Sequence, residues 1–203
     1  MPPSAVRRQP AGSGTPWWGL VSATAAPVLL IGGWTAAAAR QSSAFDPVVE
    51  TISALAARGA DDRWLMTTAL AGLGVCHLTT ALALRAAATP GRVVLGVGGA
   101  ATLLVAAFPL PAMDGHSPAH TVAAATAFVA LAVWPLVARR DGGGPVLGTG
   151  ATIAGGMVLL GLVGWFFAEL LTDGPRVGLS ERVAAGAQAL WPMVAAWSSR
   201  RIR

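Results

Sequence analysis

The chain reads as an all-α integral membrane protein, a six-helix bundle with a short extracytoplasmic amphipathic helix between spans one and two. Three observations predict this. Six apolar stretches each approach the roughly 20 residues that a helix rising about 1.5 Å per residue needs to cross the hydrocarbon. Almost every Arg, Asp and Glu falls between those stretches. The apolar runs are continuous rather than alternating, which fits helices and excludes a barrel, the other fold that satisfies its backbone groups in lipid.

The predicted spans are 17–39, 64–84, 93–113, 118–138, 146–172 and 181–198, within a spanning domain 17–198. A disordered cytoplasmic tail, 1–16, precedes it and a basic cytoplasmic tail, 199–203, follows it. Arg7 and Arg8 ahead of the first span resemble an export signal. That apolar run is longer than the 7–15 residues of a signal peptide, and five more spans follow, so it reads as a retained first helix. The connection 41–63 carries its own helix signals. Asp46-Pro47 reads as a cap with Pro at the first helical position, and Gly59 as a stop. Val48, Val49, Ile52, Leu55 and Ala56 fall within about 120° of a helical wheel, with Glu50, Thr51, Ser53 and Arg58 outside that arc. This predicts an amphipathic helix lying flat on the outer surface or folded down over the bundle.

Span two contains Cys76, the only cysteine, which excludes an internal disulfide and reads as a small hydrophobe. His77 beside it reads as a neutral side chain bonded across helices rather than a proton relay. Between spans three and four stands Asp114-Gly-His116-Ser-Pro-Ala-His120. Asp114, His116 and His120 are the candidate metal ligands, yet no metal is expected. Ser117-Pro118 reads as a cap and first helical position, which leaves His116 outside the helix and His120 inside it. In that reading His120 bonds a neighbouring outer-face group. Small residues at four-residue spacing, Gly148, Thr152 and Gly156 in span five and Gly96 and Ala100 in span three, predict close helix crossings. Glu169 lies about one turn inside the outer end of span five, where an ionisable group needs a partner. Arg182 is the expected counter-charge and Arg176 the second choice. Trp17, Trp18, Trp64, Trp191 and Trp197 lie toward span ends, as interfacial anchors do. Pro27, Pro109, Pro135 and Pro192 are candidate kinks.

Charge sets the orientation. With a cytoplasmic N-terminus, nine arginines (7, 8, 85, 92, 139, 140, 200, 201 and 203) fall inside and five (40, 58, 63, 176 and 182) outside. The positive-inside rule then places both termini in the cytoplasm of a bacterial inner membrane. Seven of the nine acids fall outside, so polar chemistry is expected on the outer face. The net charge of +5 is explained by arginines at helix ends, and no nucleic-acid partner is expected. Phosphate loops, nucleophile elbows and paired metal-protease histidines are absent from the sequence, and no cofactor is expected.

Several short motifs together give the chain a likeness. They are Phe45-Asp46-Pro47, Thr51-Ile52-Ser53-Ala54-Leu55, Trp64, Phe108-Pro109 with Asp114 and His120, and Gly178-Leu179-Ser180-Glu181-Arg182 with Trp191. In these the chain resembles the domain-of-unknown-function 998 family of bacterial multi-pass membrane proteins, over about residues 27–197. The resemblance implies a six-helix integral membrane protein with polar marks on its outer face, and no activity. That family pattern usually has a bulky residue, often Tyr, where Phe45 stands.

The leading expectation is a non-enzymatic protein that binds, senses or organises lipid or a hydrophobic small molecule at the outer leaflet. Its ligand-binding candidates are Asp46, Glu50, Glu169, Glu181 and Arg182, and membrane lipid is the expected partner. The alternative is a membrane-embedded hydrolase or transferase whose catalytic candidates are Ser53, Asp114 and His120. Such chemistry needs those groups within hydrogen-bond reach. A small transporter ranks third, since only His77 stands near mid-membrane.

Overall fold

The computed structural model describes residues 14–42, 44–141 and 143–200. The tail through Ser13, with Arg7 and Arg8, and the last three residues lie outside that description. The helices are α1 (Trp17–Ala38), α2 (Ile52–Leu55), α3 (Trp64–Ala83), α4 (Thr89–Ala107), α5 (Pro118–Val137), α6 (Thr149–Leu171) and α7 (Val177–Ser198). A 3₁₀ turn, Pro145–Leu147, leads into α6, and no strand occurs among the described residues. Five helices, α1, α3, α4, α5 and α6, are long and apolar enough to cross a membrane. The protein is therefore a membrane protein. α7 matches them in length, at 22 residues, but its sequence holds Ser180, Glu181, Arg182 and Gln188 and is less apolar.

The six long helices form a closed ring. α1 packs on α3, α3 on α4, α4 on α5, α5 on α6, α6 on α7, and α7 returns to α1. In lipid, apolar burial between helices gains little, so close shape complementarity has to hold such a ring. Glycine supplies it where α3 meets α4. A Cβ on Gly74 would lie 2.8 Å from the Gly99 carbonyl oxygen, and one on Gly99 would lie 2.9 Å from that of Gly74. Gly156, expected at a crossing, is tight against Leu136 of α5. Gly96 faces α3 less tightly, with a built Cβ 3.9 Å from Ala81, and Ala100 is exposed.

Helix ends follow local chemistry. Ser117 caps α5 by accepting from the His120 N–H, with Pro118 at the first position. α4 runs from Thr89 to Ala107 rather than over 93–113, because Pro109 and Pro111 cannot extend a helix whose last residues precede them. Pro109 therefore ends α4 instead of kinking it. Arg92, expected in a connection, lies in the first turn of α4 and donates to the carbonyls of Ala81 (2.8 Å) and Leu82 (3.1 Å) at the end of α3.

The expected helix after Asp46 is split. Residues 47–49 form a turn, Thr51 then caps α2 by accepting from Ala54 N–H, and α2 lasts four residues. Ile52 and Leu55 are 3% and 0% exposed, whereas Val48 and Val49 are 40% and 46% exposed. The apolar arc therefore holds only in its second half, which is folded down into the bundle. Burying Ile52 and Leu55 stabilises that seat by about 1.5–3 kcal/mol each if the alternative is water. At the opposite end Thr15 N–H donates to Ser199 O at 3.0 Å, bringing the start of α1 beside the end of α7.

Candidate functional site

The polar side chains that the fold brings together lie where α2 meets α5 and α7. Ser53 sits on α2, His120 on the first turn of α5 and Glu181 just past the first turn of α7. His120 and Glu181 are 5% and 4% exposed. His120 Nδ1 stands 2.9 Å from the Phe108 carbonyl, which only accepts, so Nδ1 carries the proton. In the neutral ring Nε2 is left as an acceptor, and the Ser53 hydroxyl donates to it at 3.0 Å. Ser53 Oγ also lies 3.5 Å from Glu181 Oε1. One hydroxyl hydrogen serves one acceptor, and the shorter contact to His120 takes it. The firm partner of Glu181 is instead the Ile52 backbone N–H, which donates to Oε2. A buried carboxylate thus satisfies the first free N–H of α2.

Arg182 secures the preceding turn. One of its amino nitrogens donates to the carbonyls of Pro47 (2.9 Å), Glu50 (2.7 Å) and Gly178 (2.9 Å), and its guanidinium lies 5.5 Å from the Phe45 ring centroid. Leu179 N–H donates to Val48 O at 3.0 Å. Gly178 is required there, because a Cβ would fall 2.3 Å from the Glu50 carbonyl oxygen. The carboxylates of Asp46 and Glu50 are spent inside this turn: Asp46 accepts from Val48 N–H at 2.8 Å, and Glu50 from Asp46 N–H at 2.7 Å.

Other candidates stand apart. Asp114 and His116 are exposed on the α4–α5 turn, while His120 is turned into the bundle. Among the described residues no group of three His, Cys, Asp or Glu side chains is placed to hold a metal. Glu169 does not clasp Arg182. It accepts from Trp165 Nε1 at 3.2 Å and from the Arg176 backbone N–H at 2.9 Å, closing the α6–α7 turn on itself. Arg176, the second choice, supplies its main chain rather than its charge. Asp61, in the same long connection as Ser53, accepts from the Ser42 hydroxyl and the Ser42 N–H, which holds its carboxyl below the usual carboxylate range.

Beneath α2 the ring encloses a cavity of about 60 Å³. Ser53 and Glu181 form part of its lining along with Ile52, and most of the remainder is aliphatic or aromatic, including Leu30, Leu73, Val105 and Phe128. His77, Thr102 and Gln188 also line it. His77 is 1% exposed, and neither ring nitrogen has a partner among the described residues. The cross-helix bond expected for His77 is therefore not made. Sequence reasoning did not find Thr102 or Gln188. Their signal was a Thr and a Gln inside spans, which composition alone does not separate from helix packing.

A mostly apolar chamber with a few polar side chains, beside a hydroxyl–imidazole pair, offers two chemistries: retention of an apolar molecule with a polar end, or attack by an activated hydroxyl. No curated protein and no solved structure matches the chain. One family model matches residues 24–198, and its description is protein of unknown function, DUF998. With that match over most of its length, the chain belongs to the DUF998 family.

Proposed function

We propose that this protein binds a lipid or hydrophobic small molecule inside its helix ring, with the polar end of the ligand against the polar side chains of the cavity wall. The observation that carries the reading is the cavity itself, apolar on most of its wall with a few polar side chains from α2, α3, α4 and α7. Ligand sites of this kind combine an apolar lining with a few polar groups that fix orientation. In this proposal α7 is the sixth span, α2 faces the extracytoplasmic side of a bacterial inner membrane, and both termini are cytoplasmic. The arginine asymmetry supports that orientation. Reporter fusions should read cytoplasmic at Arg140 and extracytoplasmic at Arg58; the reverse would place the cavity mouth on the other side.

Native mass spectrometry of protein released from its own membranes tests the binding. A retained mass is expected in the wild type and should be lost in Ala127→Phe, which fills the chamber. Retention unchanged by that substitution would move the ligand elsewhere and overturn the reading.

One observation favours a second reading, an acyl hydrolase or transferase. Ser53 Oγ lies 3.0 Å from His120 Nε2, and the Phe108 carbonyl fixes the other ring nitrogen at 2.9 Å. That is a nucleophile, a base and an orienting group. The group paired with His120 is the Phe108 carbonyl, with Asp114 outside the set. A fluorophosphonate probe should label Ser53 if this holds, and both Ser53→Ala and His120→Ala should abolish labelling. An unlabelled wild type would remove the catalytic reading while leaving the binding one intact.

A further inference from the structure

We infer that the cavity recognises a hydroxyl group, that His77 is the side chain that reads it, and that the ligand is a mostly apolar alcohol. This rests on the reading of the cavity as a ligand site and adds the chemical class of what enters.

His77 is held for this task by its backbone. Where α3 and α4 cross at Gly74 and Gly99, a Cβ on Gly99 would stand 3.0 Å from the His77 Cβ. The ring therefore starts from a point fixed against α4, and it forms part of the cavity wall. Its two nitrogens are buried with no partner among the described residues. A neutral imidazole presents one N–H donor and one bare nitrogen acceptor, and both are open.

The rest of the wall narrows the choice. The Thr102 hydroxyl donates to its own helix at Gly98 O, 2.8 Å away, so toward the cavity it offers only lone pairs. Gln188 donates one Nε2 hydrogen to Phe128 O at 2.7 Å, which leaves its second N–H as a donor and its Oε1 as an acceptor. The Ser53 hydroxyl is given to His120. The wall thus offers acceptors at Thr102, Gln188 and Glu181 and two free donors, on His77 and Gln188, set in a mostly apolar surface. A carbonyl ligand would answer the donors and leave the acceptors unmet. A carboxylate would bring a charge into an apolar wall with no cation lining it. A hydrocarbon would answer neither nitrogen. A hydroxyl donates once and accepts as well, which matches the imidazole and leaves an apolar remainder for the leucine and phenylalanine surface.

Size agrees. A chamber of about 60 Å³ has room for roughly four to six waters at 10–15 Å³ each, or for a hydroxyl and the first few carbons of a chain. Water itself carries the same hydroxyl chemistry, so the experiment must separate it from an organic alcohol.

The purified protein in detergent, unfolded thermally and followed by tryptophan fluorescence, would be titrated with 1-decanol, decane and decanoate. The alcohol should raise Tm saturably, with a midpoint concentration at least about tenfold below those of the alkane and the acid, as expected of a site built around one hydroxyl. His77→Leu should reduce the alcohol to the level of decane. His77→Gln, which keeps one donor and one acceptor, should retain part of the preference, and Ala127→Phe should remove the response to the alcohol. Should His77→Leu fail to fold, the Gln and Phe variants carry the same comparison. Equal midpoints for alcohol and alkane in the wild type, or a preference that survives His77→Leu, would overturn hydroxyl recognition by His77. A wild type that responds to none of the three probes and retains no mass in native spectrometry would leave water as the occupant and overturn the parent reading as well.

Discussion

At the α2 end of the bundle, the connection 41–63 is drawn inward by buried side chains. At the opposite end the connections are tied from the surface by arginines reaching backbone carbonyls. Glu181 receives the Ile52 N–H in the interior, and Arg182 gathers three carbonyls beneath the Phe45 ring. Across the bundle, Arg140 donates to Arg85 O at 2.7 Å and Ala88 N–H to Ala138 O at 3.0 Å, with Arg140 itself exposed. The difference teaches where a change would be felt. A polar group removed from the surface end is replaced by water, whereas one removed from beneath α2 leaves its partner stranded.

The comparison can be broken by measurement. Glu181→Ala should cost about 3 kcal/mol, because the Ile52 N–H is left buried without an acceptor, while Arg140→Ala should cost under about 1 kcal/mol. Thermal or detergent-induced unfolding would show this, and equal losses would erase the distinction between the ends. Gly178→Val should cost about 2 kcal/mol, since the new side chain meets the Glu50 main chain rather than a flexible group that could yield. A double-mutant cycle sharpens the picture of the polar cluster. Ser53→Ala with His120→Ala should couple by about 1 kcal/mol, whereas Glu169→Gln with Arg182→Gln should be additive within about 0.5 kcal/mol. Strong coupling in the second pair would restore the ion pair that the sequence suggested.

The smallest effect concerns pH. The Asp61 carboxyl is held below its ordinary value of 3.8, first by the Ser42 hydroxyl and then by the Ser42 N–H. A depressed folded value means that its contribution is present above the unfolded value and is lost as pH falls through the folded one. Hydrogen exchange in the Gln41–Asp61 neighbourhood should therefore accelerate, after correction for intrinsic rates, only below about pH 3.8. Asp61→Asn should flatten that dependence.

The spans were legible because lipid demands a length and a composition that a sequence displays directly. The cap at Ser117 and the stop at Pro109 were written in local residue types, although the stop was read as a kink. The cluster was legible only in pieces. Ser53, His120 and Glu181 each stood out, but 67 residues separate the first from the second and 128 separate the first from the third. Nothing in the intervening sequence says which turns meet. Proximity along the chain instead linked His120 to Asp114, which the fold leaves exposed. The Glu169–Arg182 clasp failed for a related reason. An inventory of side-chain charges omits backbone carbonyls and N–H groups, and these are what both residues found. His77 was visible as an oddity, but a cavity is a property of six packed helices and has no local signature.

The ring closes through α7, the last of its helices in chain order. A ribosome delivers α1 first, and its neighbour α7 arrives only after α3, α4, α5 and α6 have been made. Until then the Ile52 N–H lacks its carboxylate, the 47–50 turn lacks its guanidinium, and Trp197 Nε1 has yet to reach Thr24 at 2.9 Å. Five inserted helices would persist as an open crescent, held by neighbour contacts but with a polar seam facing lipid. Assembly of the ring thus has a late step, the docking of α7 between α1 and α6. A chain stalled before Val177 would present that seam to whatever quality-control protease patrols the membrane.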